Sequence, residues 1–404
     1  MPLSLSRRGL TAPASPIRRL MPYADAARAR GVHVHHLNIG QPDLPTPEAF
    51  INGYRDYAGP VLAYSPSQGL ASYREALAVY YNTLDTAAGG RAIDADDILV
   101  TTGGSEALLF TIAAACDPGD AILVAEPYYT NYRGFAHMLG VDVVPVPTFL
   151  KEDFAVSAQR LRDACTPRTR AFVLPSPGNP TGAVLAYDEL VALGQVCVDH
   201  DLFFVVDEVY REFVYLDGRH TAASVLSVPG LDSHAVVIDS VSKRYSACGA
   251  RVGCLVTRNR ELYAATLKFA QARLSPPTVD QLAAHAALST PRAWMEEAVA
   301  EYRKRRDVLV AALNAIDGVF APCPAGAFYL VADLPVDDAE AFCVFLLSEF
   351  ELDGETVMFA PAEGFYATPG AGRNQVRIAY VLAADKLRRA VRILAAGLAA
   401  WRDR

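Results

Sequence analysis

Between residues 98 and 257 the chain repeats one pattern, a short apolar run followed by a stretch of helical composition. The seven runs lie at 98–100, 121–125, 141–146, 171–174, 202–206, 235–238 and 252–256, and Val, Ile, Leu and Phe dominate them. They are continuous, not alternating. A strand that is polar at every second position has one wet face, whereas one that is apolar throughout is buried on both. Segments such as Ser105–Ala115 and Tyr187–His200 between them read as helices. Strand and helix in alternation place helices on both faces of a mostly parallel sheet. The pattern therefore predicts an α/β fold, with a large domain built on a mostly parallel seven-stranded sheet flanked by helices.

The ends of the chain read differently. Up to Pro22 the sequence is rich in Ser, Pro and Arg and predicts an irregular arm, followed by a helix over Tyr23–Arg30 that Gly31 stops. Val32–Ile39 reads as a short surface strand and Gly40–Pro47 as a loop. His33 and His35 share a face of that strand, but no carboxylate or cysteine is spaced to complete a metal site, so no metal is expected. Beyond Pro276-Pro277 come a helix over Glu296–Ile316, strands at 328–331 and 376–380, and a terminal helix over Asp385–Trp401. These predict a smaller α+β domain. The expected boundaries are 1–45 for the arm and part of the small domain, 46–290 for the large domain, and 291–404 for the rest of the small one.

At 404 residues and 52% apolar the chain can bury a sizeable core. Its net charge of −8, without a basic tail or stripe, argues against nucleic acid or an acidic membrane as partner. Seven scattered cysteines without a Cys-x-x-Cys spacing read as reduced thiols in a cytoplasmic protein. No secretory signal is visible, and the apolar stretch near Ala107–Cys116 is too short for the roughly 20 residues of a membrane helix.

Four motifs follow strand-like runs, where open α/β sheets place their ligands. Gly103-Gly104-Ser105-Glu106 opens a helix, whose N-terminal N–H groups suit an anion. Asn179-Pro180-Thr181-Gly182 is a turn whose asparagine is held extended by the proline. Asp207 ends an apolar strand, where a buried charge needs a partner, and Tyr210 follows at i+3, the spacing of one helical turn. Ser240-Val241-Ser242-Lys243 ends another strand, with Arg251 eight residues past the lysine. Each motif alone is weak, since most loop lysines are solvated and most Gly-Gly turns only turns.

In this order, from about Asn38 to about Tyr380, they resemble the fold-type I pyridoxal-phosphate enzymes, and among them the class I/II aminotransferase family in its aspartate aminotransferase-like branch. The resemblance implies pyridoxal 5′-phosphate as cofactor. It implies that Lys243 joins the aldehyde as a Schiff base and shuttles the substrate proton. Asp207 would keep the ring nitrogen charged, and Tyr210 and Asn179 would bond the phenolic oxygen. The phosphate would rest on the backbone of Gly104, Ser105 and Glu106, with Ser240 and Arg251. Tyr64 would reach the phosphate of the neighbouring subunit in a homodimer with shared active sites. Tyr129 would stack on the ring where many relatives carry tryptophan, with Tyr128 as a competitor. Arg377 would clamp the substrate α-carboxylate, helped by Asn179 and the backbone of Gly40. Glu208 is expected to point elsewhere, and cis peptides are expected before Pro127 and Pro180.

The family's chemistry moves an amino group between an L-amino acid and a 2-oxo acid, with aspartate or glutamate as the expected donor. The same site residues also serve β- or γ-elimination or replacement, which stays open as the alternative. Relatives acting on aspartate often carry lysine directly after the paired glycines, where this chain has Ser105, and Arg18 or Arg19 of the arm could read a side-chain charge instead. A non-enzymatic regulator of the same fold would usually add a DNA-binding module, for which no spare segment exists.

Overall fold

The computed structural model of the protein describes residues 3–84 and 91–404. Twelve strands are present among them: β1 (His33–His36), β2 (Ile98–Thr101), β3 (Ala121–Glu126), β4 (Asp142–Pro147), β5 (Thr169–Pro175), β6 (Phe203–Asp207), β7 (Ala235–Ser240), β8 (Gly253–Val256), β9 (Tyr329–Asp333), β10 (Glu355–Met358), β11 (Ala360–Pro361) and β12 (Gln375–Ala379). The seven apolar runs are β2 to β8, and they form one sheet in the order β2-β8-β7-β6-β5-β3-β4. Within this sheet β8 alone runs opposite to the other six strands.

Burial on both faces explains the unbroken hydrophobicity. Leu99, Val124, Val173 and Val205 pack on one side of the sheet, under helices Gly104–Ala115, Asn131–Leu139 and Arg260–Arg273. Val100, Leu123, Phe172 and Val206 pack on the other, under helices Ala71–Thr83, Tyr187–Asp199 and Thr278–Ala287. Alternate residues of one strand thus enter different cores, as the period of two requires.

A third core gathers the chain ends. Leu20, Ala24, Val34 and Leu37 pack with Tyr302, Leu309, Phe342 and Leu394. Here β1 runs parallel to β10, and β11, β12 and β9 form an antiparallel sheet in that order. The helix Arg292–Leu313 contributes to two cores, with Trp294 against the large sheet and Leu309 in the smaller one. Two expectations are corrected. The arm is not wholly irregular, since Arg7–Thr11 is a short helix capped by Ser6. β1 is not a surface strand: Val34 and His35 are both buried, and His35 Nε2 lies 3.3 Å from Glu355 across the β1–β10 pair. No group of three metal-ligating side chains occurs among the described residues, and no helix there is long and apolar enough to cross a membrane.

Candidate active site

Five parallel strands, β2, β3, β5, β6 and β7, bring their C-terminal ends to one edge of the sheet at Thr101, Glu126, Pro175, Asp207 and Ser240. Because β8 runs the other way, its first residue Gly253 is the pairing partner of both Thr101 and Ser240. Arg251, two residues earlier, therefore returns to the same edge as the motifs that precede it.

The anion cradle is built by close approach. Gly103, at φ +77°, caps the helix Gly104–Ala115, and a Cβ there would come within 2.6 Å of Arg251 Nη2. A Cβ on Gly253 would come equally close to Gly104 N and Asp239 O. The first-turn N–H groups of Gly104, Ser105 and Glu106 have no acceptor inside the helix, and the guanidinium of Arg251 stands beside them. Glu106 turns its carboxylate back, accepting from Thr102 N–H at 2.8 Å and lying 3.5 Å from Arg273. The Ser240 hydroxyl is occupied within the protein, donating to the Val252 carbonyl at 2.9 Å and accepting from Ser242 N–H at 3.1 Å.

Asp207 is buried at the end of β6. Its Oδ2 accepts from the Tyr132 hydroxyl at 3.0 Å and its Oδ1 from Val209 N–H at 3.4 Å. No cation pairs with it among the described residues, and burial pushes its carboxyl up to about 6, against those two hydrogen bonds. Tyr210 reaches the site by tight turns after β6, not by the helical turn the i+3 spacing suggested. Its hydroxyl lies 2.9 Å from that of Tyr329, and burial, then the second phenol, raises it well above the ordinary tyrosine range. It is a neutral donor. Glu208 points away, as expected, into an ion pair with Arg211.

The Lys243 amine donates to the Gly40 carbonyl at 2.8 Å, and Cys248 Sγ lies 3.7 Å from it. Gly40 also accepts from the Tyr329 hydroxyl at 3.2 Å, so close that a Cβ on it would overlap that ring. On β12 the buried guanidinium of Arg377 donates to Asn179 Oδ1 at 3.1 Å and to the Asn38 carbonyl. It lies between the Tyr329 and Phe365 rings, at 4.7 and 4.9 Å from their centroids, and its Nε has no partner among the described residues. Desolvation lowers its affinity for a proton.

Peptides before Pro127, Pro177 and Pro180 are cis. Tyr128 is fully buried, with its N–H on the Phe365 carbonyl, which leaves Tyr129 as the half-buried aromatic at the site, edge-on to Tyr132 at 5.6 Å. Tyr64 is apart from the others and 80% exposed. The structure thus gathers Gly40, Gly104, Ser105, Glu106, Tyr129, Asn179, Asp207, Tyr210, Ser240, Lys243, Arg251 and Arg377 around the strand ends. Sequence reasoning missed Tyr132 and Tyr329, which hold Asp207 and Tyr210. Each is one tyrosine among 19, and nothing local marks its partner.

The sequence matches the family of class I and II aminotransferases over residues 32–394. It is 33% identical over 369 residues to the aspartate/prephenate aminotransferase of Thermus thermophilus, covering 90% of this chain and 91% of that one. It is also 33% identical over 371 residues to an arginine–pyruvate transaminase of Pseudomonas aeruginosa, with 91% and 90% covered. The solved structure of the Thermus thermophilus aspartate aminotransferase with maleate superposes with a TM-score of 0.86 at 32% identity, covering 98% of this chain and all of that one. A fold-type I sheet, a lysine and a buried carboxylate at its C-terminal edge, and a match running through nearly the whole length lead to one conclusion: the chain belongs to the class I and II aminotransferases.

Proposed function

We propose that this aminotransferase holds pyridoxal 5′-phosphate at the strand ends and uses Lys243, Asp207 and Tyr210 to exchange an amino group between an L-amino acid and a 2-oxo acid. The observation that carries the reading is the buried Asp207, without a cation among the described residues, at the same edge as the amine of Lys243. A protonated ring nitrogen is the partner that such a carboxylate needs. The glycine-walled cradle with Arg251 fits a phosphate for the same kind of reason.

When bound, the cofactor supplies an aldehyde that joins amines and a ring that draws electron density from the adjoining carbon. The protein's own groups do the rest. Asp207 keeps the ring nitrogen charged. Tyr210 and Asn179 would donate to the phenolic oxygen, Tyr129 would cover the ring, and the first turn of Gly104–Ala115 would supply N–H donors at the phosphate, which the Ser240 hydroxyl would join by turning from the Val252 carbonyl. Arg377, already aligned by Asn38 and Asn179, takes the α-carboxylate as a two-pronged donor beside Gly40. Lys243, freed from the Gly40 carbonyl, would be the general base that takes the proton from the substrate's α-carbon and the acid that later gives it up.

Tyr64 reaches the phosphate of a second copy in this reading. Val61 and Leu62, 71% and 66% exposed beside it, support a surface that another subunit covers, so the working unit is a homodimer. Seven unpaired cysteines support a reducing, cytoplasmic setting. The preferred donor is aspartate or glutamate, following the Thermus thermophilus relative, while the Pseudomonas aeruginosa relative is named an arginine–pyruvate transaminase.

The test is an absorbance titration of the cofactor-loaded protein with single amino acids. Loss of the visible band together with release of the matching 2-oxo acid is expected, with aspartate or glutamate most effective. A visible band that survives every amino acid, or release of ammonia in place of the exchange, would refute it. In Lys243→Ala the visible band should be absent.

A further inference from the structure

Beside the site lies a set of five buried charged side chains, Glu208, Arg211, Glu212, Asp239 and Arg244, none more than 5% exposed. Their places in the chain are not random. Arg211 directly follows Tyr210, Arg244 directly follows Lys243, and Asp239 directly precedes Ser240. Arg244 donates to Asp239 Oδ2 and to Glu212 Oε1, both at 2.6 Å. Arg211 Nε and Nη2 both donate to Glu208, while its Nη1 makes no hydrogen bond among the described residues and stands at ion-pair distance, 3.5 Å, from the same Asp239 oxygen. The Tyr81 hydroxyl donates to that oxygen too, at 2.7 Å, and the Tyr80 hydroxyl donates to Glu212. Asp239 Oδ1 is taken by Ser240 N–H at 2.7 Å. Burying five charges is costly, and a well-packed apolar set would commonly serve stability as well. What ions give that apolar groups do not is direction.

We infer that Asp239 is a positioning residue, which sets Lys243 and Tyr210 at a fixed spacing by hydrogen-bonding the arginine after Lys243 and drawing the arginine after Tyr210 by charge. The inference rests on the roles proposed above for those two residues.

The test compares the cofactor-loaded wild type with Arg211→Lys, Arg244→Lys and the double variant, together with Asp239→Asn. Lysine keeps the charge but cannot span two acceptors. Three quantities are read: kcat against KM, the pH midpoint of the visible band, and thermal unfolding. Each single variant is expected to lose about tenfold to hundredfold in kcat, the effect of about an ångström of misplacement, with KM little changed and the band midpoint moved. Because both arginines act through one carboxylate, the double variant should lose no more than the worse single one. Folded variants with wild-type kcat and midpoint, even at a lowered unfolding temperature, would overturn the inference. So would losses that simply add. If Asp239→Asn fails to fold, Tyr81→Phe removes one hydrogen bond to Asp239 without a charge and should move the midpoint in the same direction by less; an unmoved midpoint counts against it. A wild type without a visible band would instead defeat the cofactor assignment itself.

Discussion

Replacing Asp207 by Asn removes a charge that the cofactor-free fold holds at a cost. The unfolded chain releases this proton near 3.8 and the folded chain at about 6, because burial outweighs the Tyr132 and Val209 hydrogen bonds. Between those values the folded state keeps a proton the unfolded state has lost, so stability falls as pH rises through the window and stays lower above it. A gap of about two pH units corresponds to about 3 kcal/mol. With an unfolding entropy of about 2.1 cal/mol/K per residue, that becomes about 3–4 °C for a chain of this length. Asparagine keeps an acceptor for Tyr132 and carries no charge.

The assay is thermal unfolding of the cofactor-free wild type and Asp207→Asn between about pH 3.5 and about pH 8, which brackets the window from 3.8 to about 6. The two proteins should unfold at similar temperatures at the acid end. They should separate as pH rises, until the variant is more stable by about 3–4 °C at neutral pH. Saturating pyridoxal 5′-phosphate should reverse the order, since only the wild type gains an ion pair, and the loaded variant should have lost most of its turnover. A cofactor-free variant no more stable than wild type at neutral pH would refute the reasoning, because Asp207 would then be neither costly nor waiting for a cation.

Other perturbations test the neighbouring contacts. Arg377→Lys keeps a charge but loses the fork held by Asn38 and Asn179 and the stacking between Tyr329 and Phe365, so KM for amino acids should rise about tenfold or more; an unchanged KM would remove Arg377 from the substrate clamp. Tyr329→Phe deletes the hydroxyl that meets Tyr210 and Gly40, at about 1 kcal/mol, and should cut kcat several-fold while leaving the fold stable. Full activity in that variant would show that Tyr210 needs no support. Tyr64→Ala should weaken cofactor retention without dissociating the dimer, measured by dialysis and sedimentation; retention at the wild-type rate would place Tyr64 outside the neighbouring site.

Much of this site was legible because its handles are covalently next to the strands that carry them. A strand buried on both faces announces itself by composition, and the motif after it then falls at the C-terminal edge. So Asp207, Lys243 and the Gly103-Gly104 turn could be placed from the sequence, and β2 to β8 lie within two residues of the apolar runs. Contacts set by packing left no such trace. Tyr132 meets Asp207 across 75 residues and Tyr329 meets Tyr210 across 119, distances over which side-chain identity is silent. His35 was misread for the same reason: alternation along β1 suggests a wet face, but Glu355 and β10 cover it from the far end of the chain.

The eight residues from Lys243 to Arg251 have a topological cause. Ser240 on β7 and Gly253 on β8 are direct pairing partners in antiparallel strands, so residues 241–252 form a closed excursion that leaves the sheet edge and returns to it. Lys243 lies on its outgoing limb, in the short helix Val241–Arg244, and Arg251 on its returning limb against Gly103. A parallel β8 would have carried Arg251 to the opposite edge, about four strand residues or ~13 Å away. The single reversed strand is therefore what lets one stretch of sequence bring both the Lys243 amine and the Arg251 guanidinium, proposed above to meet a phosphate, to the same edge. It also explains why Gly253 tolerates no side chain, since the reversal packs its Cα against the backbone of Gly103 and Gly104. In this fold the antiparallel neighbour is part of the chemistry.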